Sequence, residues 1–548
     1  SLIDCNDPVV AAAKMIKEGK IVAVKGLGGF HLAVDAHNAN AVFRLRQRKA
    51  REAKPLAVMT TNAASARLWG DFNDIEIELL NSPARPIVLA RKTERCRNAF
   101  IHVADDLNEI GLMTAYTPVH LLLFHALAGL PSDPRWLDAA SEDALVMTSA
   151  NPSGEPLVIH TKEACERLNG IADAILTHDR EIVCRCDDSV VRVVDGAARL
   201  VRRARGYTPL AVKTHCDMTG IAATGASLKA TAALGRGQEV FVTAHIGDTK
   251  NVASCKALKD ALLHFEDILE THPTQAVACD LHPDFYASRL AREIAAERKI
   301  ALFEVQHHHA HTMAVAFEYG LEGDVYGLSL DGVGLGTDGR AWGCEALFCR
   351  SNGTFERLGH LQNLPLPGGD AAAREPWRMA VAAALTAEWR RAAIALWPQR
   401  PVAAMLSLAS NPRLTSTTSS AGRLFDAVSA IAGLCDEQND EAQAAMLLEA
   451  AGGDFADASY EEDDFVVTQE SGLNVLQVTA LLQRLFAMRL EGRTPQAISM
   501  RFHAAFSAGM AKLAAECFPA GATVCLSGGT FLNRFVAADL SRRLRQMG

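Results

Sequence analysis

None of the thirteen cysteines in this 548-residue sequence stands in a Cys-x-x-Cys pair; Cys184 and Cys186, one residue apart, are the closest two. A zinc ribbon is therefore not expected. A chain this long can build an ample core without a disulfide scaffold, so reduced and mostly buried thiols are expected instead. The sequence also lacks any apolar run of about eighteen residues, and with it the signature of a membrane-spanning helix. No basic segment leads into an apolar one at the start, so no secretion signal is read, and the cytoplasm is the default expectation. Ser stands at position 1, as expected of a fragment or a processed chain.

What is present is ordinary in bulk and uneven in detail. Apolar residues make up 49% and mean hydropathy is +0.05, values of a globular protein, and the length calls for several domain-sized units. Residues 1–212 carry 26 basic and 26 acidic side chains, whereas the remainder carries 29 and 38. The basic residues of the first part are bunched at 44–54 and 199–205. A basic cleft on a neutral domain fits a small anion, and the acidic second part argues against nucleic acid.

The first part alternates helices and strands. A helix is expected over 8–18 and a strand over 21–24, running into Lys25, Gly26, Leu27, Gly28, Gly29 and His31. Such a glycine turn lets a backbone approach a ligand, although a plain tight turn explains it equally well. A helix over 38–48 leads into the basic run Arg44 to Lys54, and Arg44, Arg48 and Arg51 share a face if the helix continues that far. Pro55 then breaks into a strand over 56–59. The strand expected at 144–147 ends in Thr148, Ser149, Ala150, Asn151, Pro152 and Ser153, short polar groups able to bond phosphate or ribose oxygens. Strands are also expected over 188–194 and 198–202.

In the second part an order of elements repeats. A strand over 219–223, a turn containing Gly225 and Lys229, strands over 232–236 and 240–244 and a helix over 252–271 form the first copy. A strand over 325–330, a glycine turn over 331–339 with Gly332 and Gly334, strands over 341–349 and 355–360 and a helix over 372–393 form the second. This is the order of the duplicated ribonuclease-H-like fold of sugar kinases, actin and Hsp70. Between the copies lie His307, His308, His309 and His311 at a helix start, with His307 and His311 as i and i+4 neighbours. That spacing, about 5–6 Å between Cβ atoms, suits two imidazoles on one metal ion, and Asp331 arrives at a strand end nearby. Late in the chain Gly422 and Asp426 open an apolar helix, and a strand at 523–526 runs into Gly528, Gly529 and Asn533.

These motifs carry resemblances. Arg48, Lys49, Arg51, Lys54 and Pro55, with Thr148, Ser149 and Asn151, resemble the YrdC family, which forms carbamoyl-type adenylates from ATP. This implies Lys49, Arg51 and Lys54 on the phosphates, with Lys25, Arg48, Ser149 and Asn151 completing the pocket. His307-x-x-x-His311 and Asp331 are similar to the metal site of TsaD-like carbamoyl-transfer domains. Gly422 and Asp426 resemble that family's ribose segment, and Gly528, Gly529 and Asn533 its adenosine turn. The turn residues Gly225, Lys229, Gly332 and Gly334 are expected on the phosphate. A YrdC-like part (1–207), a linker (208–218) and a TsaD-like part (219–548, lobes about 219–322 and 323–548) match the HypF family of nickel–iron hydrogenase maturation. Asp280 to Asp284, His245 to Asp248, Leu366 to Asp370 and Arg374 to Ala380 add to that match. The family's acylphosphatase and zinc modules and its last strand, with a further ligand Asp, are expected to be missing from the chain.

The resemblance implies an α/β enzyme that forms carbamoyl adenylate from ATP, with Mg2+, and carbamoyl phosphate or derived carbamate. The carbamoyl group would pass to the C-terminal cysteine of HypE, with one divalent ion, zinc or iron, at His307, His311 and Asp331. Two alternatives stand beside this: a tRNA threonylcarbamoyladenosine enzyme and a non-enzymatic nucleotide-binding scaffold. The Leu366 to Asp370 segment and the acidic second part disfavour the tRNA enzyme. No membrane partner is expected.

Overall fold

The computed structural model describes residues 3–152, 154–384, 387–453 and 458–548; Ser153 and part of the helix expected at 372–393 lie outside them. The chain forms two compact units, Ser1–Glu304 and Val305–Gly548.

The first unit begins with helix Pro8–Lys17, capped by the Asp7 carboxylate on the amides of Val9 and Val10, with Pro8 in the first turn. It lies against a ten-stranded mixed sheet. Strand Val22–Lys25 pairs antiparallel with Phe30–Asp35, which pairs antiparallel with Ala144–Ser149. The register brings Ala33 opposite Met147 and His31 opposite Ser149. Alternate side chains feed two cores. Ala23, Leu32, Val34, Val58 and Val146 pack on one face, and Val22, Val24, Ala33, Met59 and Met147 on the other. Nearly continuous apolar strands follow from this, because helices cover both sides.

The same unit carries a six-stranded sheet. Strand Ile221–Ala223 is flanked by antiparallel Ala233–Arg236 and parallel Ala276–Asp280. Helices Val252–Ile268 and Tyr286–Arg298 contribute Leu258, Leu262, Phe265, Leu290 and Ala291 to its core. The segment read as a linker contains strand Ala211–Lys213, which pairs with Glu239–Val242 at the edge of this sheet.

The second unit repeats that plan on an eight-stranded sheet. Strand Val325–Leu335 is flanked by antiparallel Ala341–Cys349 and parallel Val524–Ser527. Two copies with the same antiparallel and parallel neighbours around a first strand are the expected duplicated ribonuclease-H-like plan. Helix His307–Glu318 packs on this sheet through Ala316, beside Val325, Leu347, Cys349 and Cys525. It therefore packs with the second unit.

Three local expectations change. The helix with the basic run, Ala39–Lys49, stops where Ala50 turns left-handed (φ 48°), so Arg51 does not share a helical face with Arg44 and Arg48. The segment read as a glycine turn at 331–339 is a strand up to Leu335, with a bulge between Leu330 and Gly334 and a tight turn after it. The single helix expected at 372–393 is split into Asp370–Arg374, Pro376–Ala383 and Ala387–Leu396, Pro376 marking the first break. All thirteen cysteines are free thiols, and no described helix is long and apolar enough to cross a membrane.

Candidate functional site

In the first unit, polar groups converge at one end of the ten-stranded sheet. Lys49, the last residue of its helix, is buried and sends its ammonium to the strand end at Ser149. It donates to the Ser149 carbonyl, to Ser149 Oγ at 3.2 Å and to Asn151 Oδ1 at 3.0 Å. All three acceptors are neutral. Burial pulls the ammonium well below the usual lysine range; Arg51, Lys54 and Arg202 push the same way, and Asp187 opposes them. An anion would relieve that strain of charge. Arg51 reaches Thr148 Oγ1 at 3.1 Å and the Pro55 carbonyl at 2.6 Å, so the two cations after the helix bracket the end of one strand.

Of the other expected members of this pocket, Arg48 and Lys25 are bonded elsewhere. Arg48 turns to the opposite side and pairs with Asp173 at 2.8 Å. Lys25 is buried with its ammonium on the His178 carbonyl at 2.9 Å. Lys54 is exposed, and its charge bears on Lys49 and on His245. Of the turn residues expected on the phosphate in the TsaD-like part, Lys229 is exposed with φ 48°, its amide on Asp248 Oδ1 at 3.2 Å, and Gly225 sits at φ 73° with its carbonyl taking the Asp280 amide. His245 had no role from the sequence alone. Burial drops its imidazole to about 4, and Arg202, Lys54 and Lys229 also disfavour its charge. Arg202 in turn pairs with Asp187 at 2.7 Å. Nothing local in the sequence links positions 187, 202 and 245; only the folded sheet does.

In the second unit, Gln306 caps the helix His307–Glu318 by accepting from the His308 and His309 amides. His307 and His311 face the bulge at Asp331. Their Nε2 atoms stand 3.2 and 3.3 Å from the same Asp331 Oδ2, and the three ligand atoms lie within 4.8 Å of one another. Gly334 permits this approach, because a Cβ there would stand 2.7 Å from the His307 Cβ. Burial alone would raise the Asp331 carboxyl; the two imidazoles more than reverse this and hold it well below the usual carboxylate range. Two imidazoles and a carboxylate in this arrangement fit a divalent transition metal, with ligand type admitting zinc or iron. His308 and His309 point away from that cluster. His308 takes a bond from Gln306 at 3.1 Å, and His309 stacks on Phe355 at 4.9 Å between ring centroids.

The glycine segments gather around the same carboxylate. Asp331 Oδ1 accepts the Gly529 amide at 3.2 Å. Gly528 has φ 94°, and a Cβ there would meet the Leu330 carbonyl at 2.3 Å, so only glycine allows this close pass. Ser420 donates to the Gly332 carbonyl, and Gly422 lies against the Gly332 backbone. Asp426 is buried; burial pushes its carboxyl up to about 6 against the opposing charge of Arg423. Asn533 is used locally: it caps helix Arg534–Met547 and bonds His503 Nε2 at 3.0 Å.

Comparison with known proteins turns this geometry into an identity. Residues 14–204 match the Sua5/YciO/YrdC family described as telomere recombination. Residues 217–318 match the HypF Kae1-like domain, and residues 327–548 match the carbamoyltransferase Kae1-like domain, second subdomain. The carbamoyltransferase HypF2 of Cupriavidus necator is 46% identical over 99% of this chain and 70% of its own length. The chain belongs to the HypF carbamoyltransferase family. The HypF of Rhizobium leguminosarum bv. viciae is 42% identical over 99% of the chain and 69% of that protein. A solved structure of full-length HypF in a phosphate- and nucleotide-bound form superposes with a TM-score of 0.88 at 34% identity, covering 99% of this chain and 82% of that one. With HypF membership goes carbamoyltransferase activity in hydrogenase maturation.

Proposed function

We propose that the first-unit pocket forms carbamoyl adenylate and that the Asp331 site serves the transfer of its carbamoyl group to the C-terminal cysteine of HypE. The observation that carries this reading is the convergence of Lys49 and Arg51 on one strand end, with Lys49 held by neutral acceptors only. Such a site attracts a triphosphate and supports the charge that builds as pyrophosphate leaves. A carbamate oxygen attacks the α-phosphorus of ATP, the new P–O bond forms, and the bond to pyrophosphate breaks. No side-chain nucleophile is required. ATP with Mg2+ is the cosubstrate in this reading, and carbamate comes from hydrolysis of carbamoyl phosphate, in which the phosphoryl group passes to water and leaves as inorganic phosphate.

In the second step the thiolate sulfur of HypE attacks the carbamoyl carbon, a C–S bond forms, and AMP leaves with the C–O electrons. His307, His311 and Asp331 would hold a divalent ion, which as a Lewis acid supplies positive charge where AMP is bound and released. Asp331 also fixes the Gly529 amide, so one carboxylate would hold both the ion and this turn. Asp426, buried and paired with Arg423, would accept a ribose hydroxyl in this reading.

The test is incubation of the chain with ATP, carbamoyl phosphate and purified HypE, followed by mass measurement of the HypE terminus. A carbamoyl adduct that requires ATP is expected. With His311→Ala, which removes one of the three ligands, metal content should fall and the adduct should be lost while pyrophosphate release persists. Adduct formation undiminished in that variant would overturn the role given to the metal site. Absence of ATP-dependent pyrophosphate release would overturn the first step.

A further inference from the structure

A second polar cluster of the first unit lies at the same end of the ten-stranded sheet as Lys49. His31 and Ser149 are register partners on antiparallel strands, so their side chains leave the same face with Cβ atoms about 5 Å apart. Ser149 is the residue whose hydroxyl accepts from Lys49. His31 is 6% exposed, and its Nε2 meets Asp188 Oδ2 at 3.0 Å. Asp188 Oδ1 is gripped by Nε and Nη2 of Arg205 at 3.0 and 2.9 Å. That guanidinium lies 3.5 Å above the centre of the Tyr116 ring.

A carboxylate fixed by an arginine dictates the tautomer of the imidazole beside it. The proton of neutral His31 sits on Nε2, and the lone pair is left on Nδ1. This Nδ1 is buried and has no hydrogen-bond partner among the described residues, whereas buried polar atoms are nearly always matched. It is also kept uncovered. A Cβ at Gly26 would stand 3.1 Å from Nδ1 and 3.0 Å from the Gly29 carbonyl. On the other side His120 stands edge-on to His31, 6.1 Å between centroids, and burial drops its imidazole to about 3, so it is neutral near pH 7. The wall beside Nδ1 thus offers an acceptor, and the wall at Lys49 offers a cation.

We propose that His31 Nδ1 is the subsite for the amino group of carbamate. An N–H of the substrate donates to Nδ1 while its carboxylate faces the Lys49 ammonium across the Ser149 strand end. The ligand class is a small planar carboxylate bearing an N–H donor on the carboxyl carbon. Asp188 and Arg205 act through His31 and are positioning residues. This assignment rests on the adenylate-forming reading of the pocket.

The test is ATP-dependent pyrophosphate release by the full chain with freshly dissolved carbamate and, separately, acetate, which has a carboxylate and no N–H. Wild type is compared with His31→Gln and Gly26→Ala, and ATP affinity and thermal midpoint are measured for each. Glutamine can keep a donor to Asp188 and has no acceptor where Nδ1 stood; a methyl at position 26 covers the lone pair and leaves the Asp188 bond intact. In both variants the KM for carbamate should rise about tenfold or more, and the preference for carbamate over acetate should shrink by a similar factor. ATP affinity and thermal midpoint should hold. Unchanged KM and preference in the variants, with wild type active, would overturn the subsite alone. Loss of carbamate and ATP affinity in equal proportion would assign His31 a structural role and also overturn it. A wild type inactive with carbamate would bring down the adenylate reading, and the subsite with it. If His31→Gln does not fold, Gly26→Ala decides.

Discussion

Two neighbouring strands of the second unit each carry a carboxylate, Glu345 buried and Asp331 half-buried, and the surroundings of the two differ in kind. Glu345 is fully buried, and its Oε1 takes the Ser419 hydroxyl and the Gly343 and Cys344 amides while Oε2 takes Arg357 Nε at 2.6 Å. Arg357 then lies 4.0 Å over the Trp342 ring. Charge and donors are matched from within. Asp331, on a strand bulge, meets two imidazoles of one helix and the Gly529 amide. The first arrangement is complete without a ligand; the second concentrates metal-ligating atoms at one point. In the first unit the same contrast separates Arg48, paired with Asp173, from Lys49, held by neutral oxygens. Burial alone therefore does not mark a site; the nature of the partner does.

Removing charge from the closed network should have the largest effect. Glu345→Gln leaves Arg357 without its carboxylate, and breaking a buried pair costs about 3–5 kcal/mol. Denaturant unfolding should show that loss, and a change below about 1 kcal/mol would break the contrast with Asp331. In the open pocket the cost should fall on turnover instead. Lys49→Met should cut ATP-dependent pyrophosphate release by about 10²–10³ with a stability change small by comparison. Release near the wild-type rate would remove Lys49 from the phosphate-binding role.

Asp426 stands between the two cases, because Arg423 lies 2.7 Å from its Oδ2 while burial still pushes the carboxyl up to about 6. In the unfolded chain this group ionises near 3.8. Between these values the folded state keeps a proton that the unfolded state has released, so stability falls as pH rises through that window. Above it the full cost remains, about 3 kcal/mol for the shift. The stability of Asp426→Asn relative to wild type should therefore increase by about 2 kcal/mol between pH 4 and pH 7. A difference that is flat with pH would mean that Arg423 compensates Asp426 as fully as Arg357 does Glu345.

The legible part of this molecule was its repeated strand order and its local motifs. The i, i+4 spacing of His307 and His311 and the strand leading to Asp331 carried the metal cluster, because helix and strand geometry are local. The hidden part depends on register and on chain reversals. Nothing near His31 in sequence announces Asp188 or Ser149, 157 and 118 positions away; antiparallel pairing brings Ser149 opposite His31, and the segment leading into strand Val190–Val194 brings Asp188. The bulge at Asp331 was read as a loop for a related reason. Glycines there serve the close pass of the histidine helix at Gly334, and a sequence cannot distinguish that need from a turn. Likewise, the sequence around Asn533 does not announce that its side chain caps the helix that follows it.

The smallest expected effect tests the sharpest local contrast, that between adjacent residues 48 and 49. Both are basic, and both end the helix Ala39–Lys49. A helix turns about 100° per residue, so neighbours leave it in different directions. Lys49 goes inward to Ser149, whereas Arg48 goes out to Asp173 with a third of its side chain exposed. A partly exposed pair contributes about 0–1 kcal/mol. Arg48→Ala should therefore lower stability by less than about 1 kcal/mol and leave pyrophosphate release and ATP affinity within about twofold. A loss comparable to that of Lys49→Met would place Arg48 in the phosphate pocket, so the helix would have to end differently when ATP is bound.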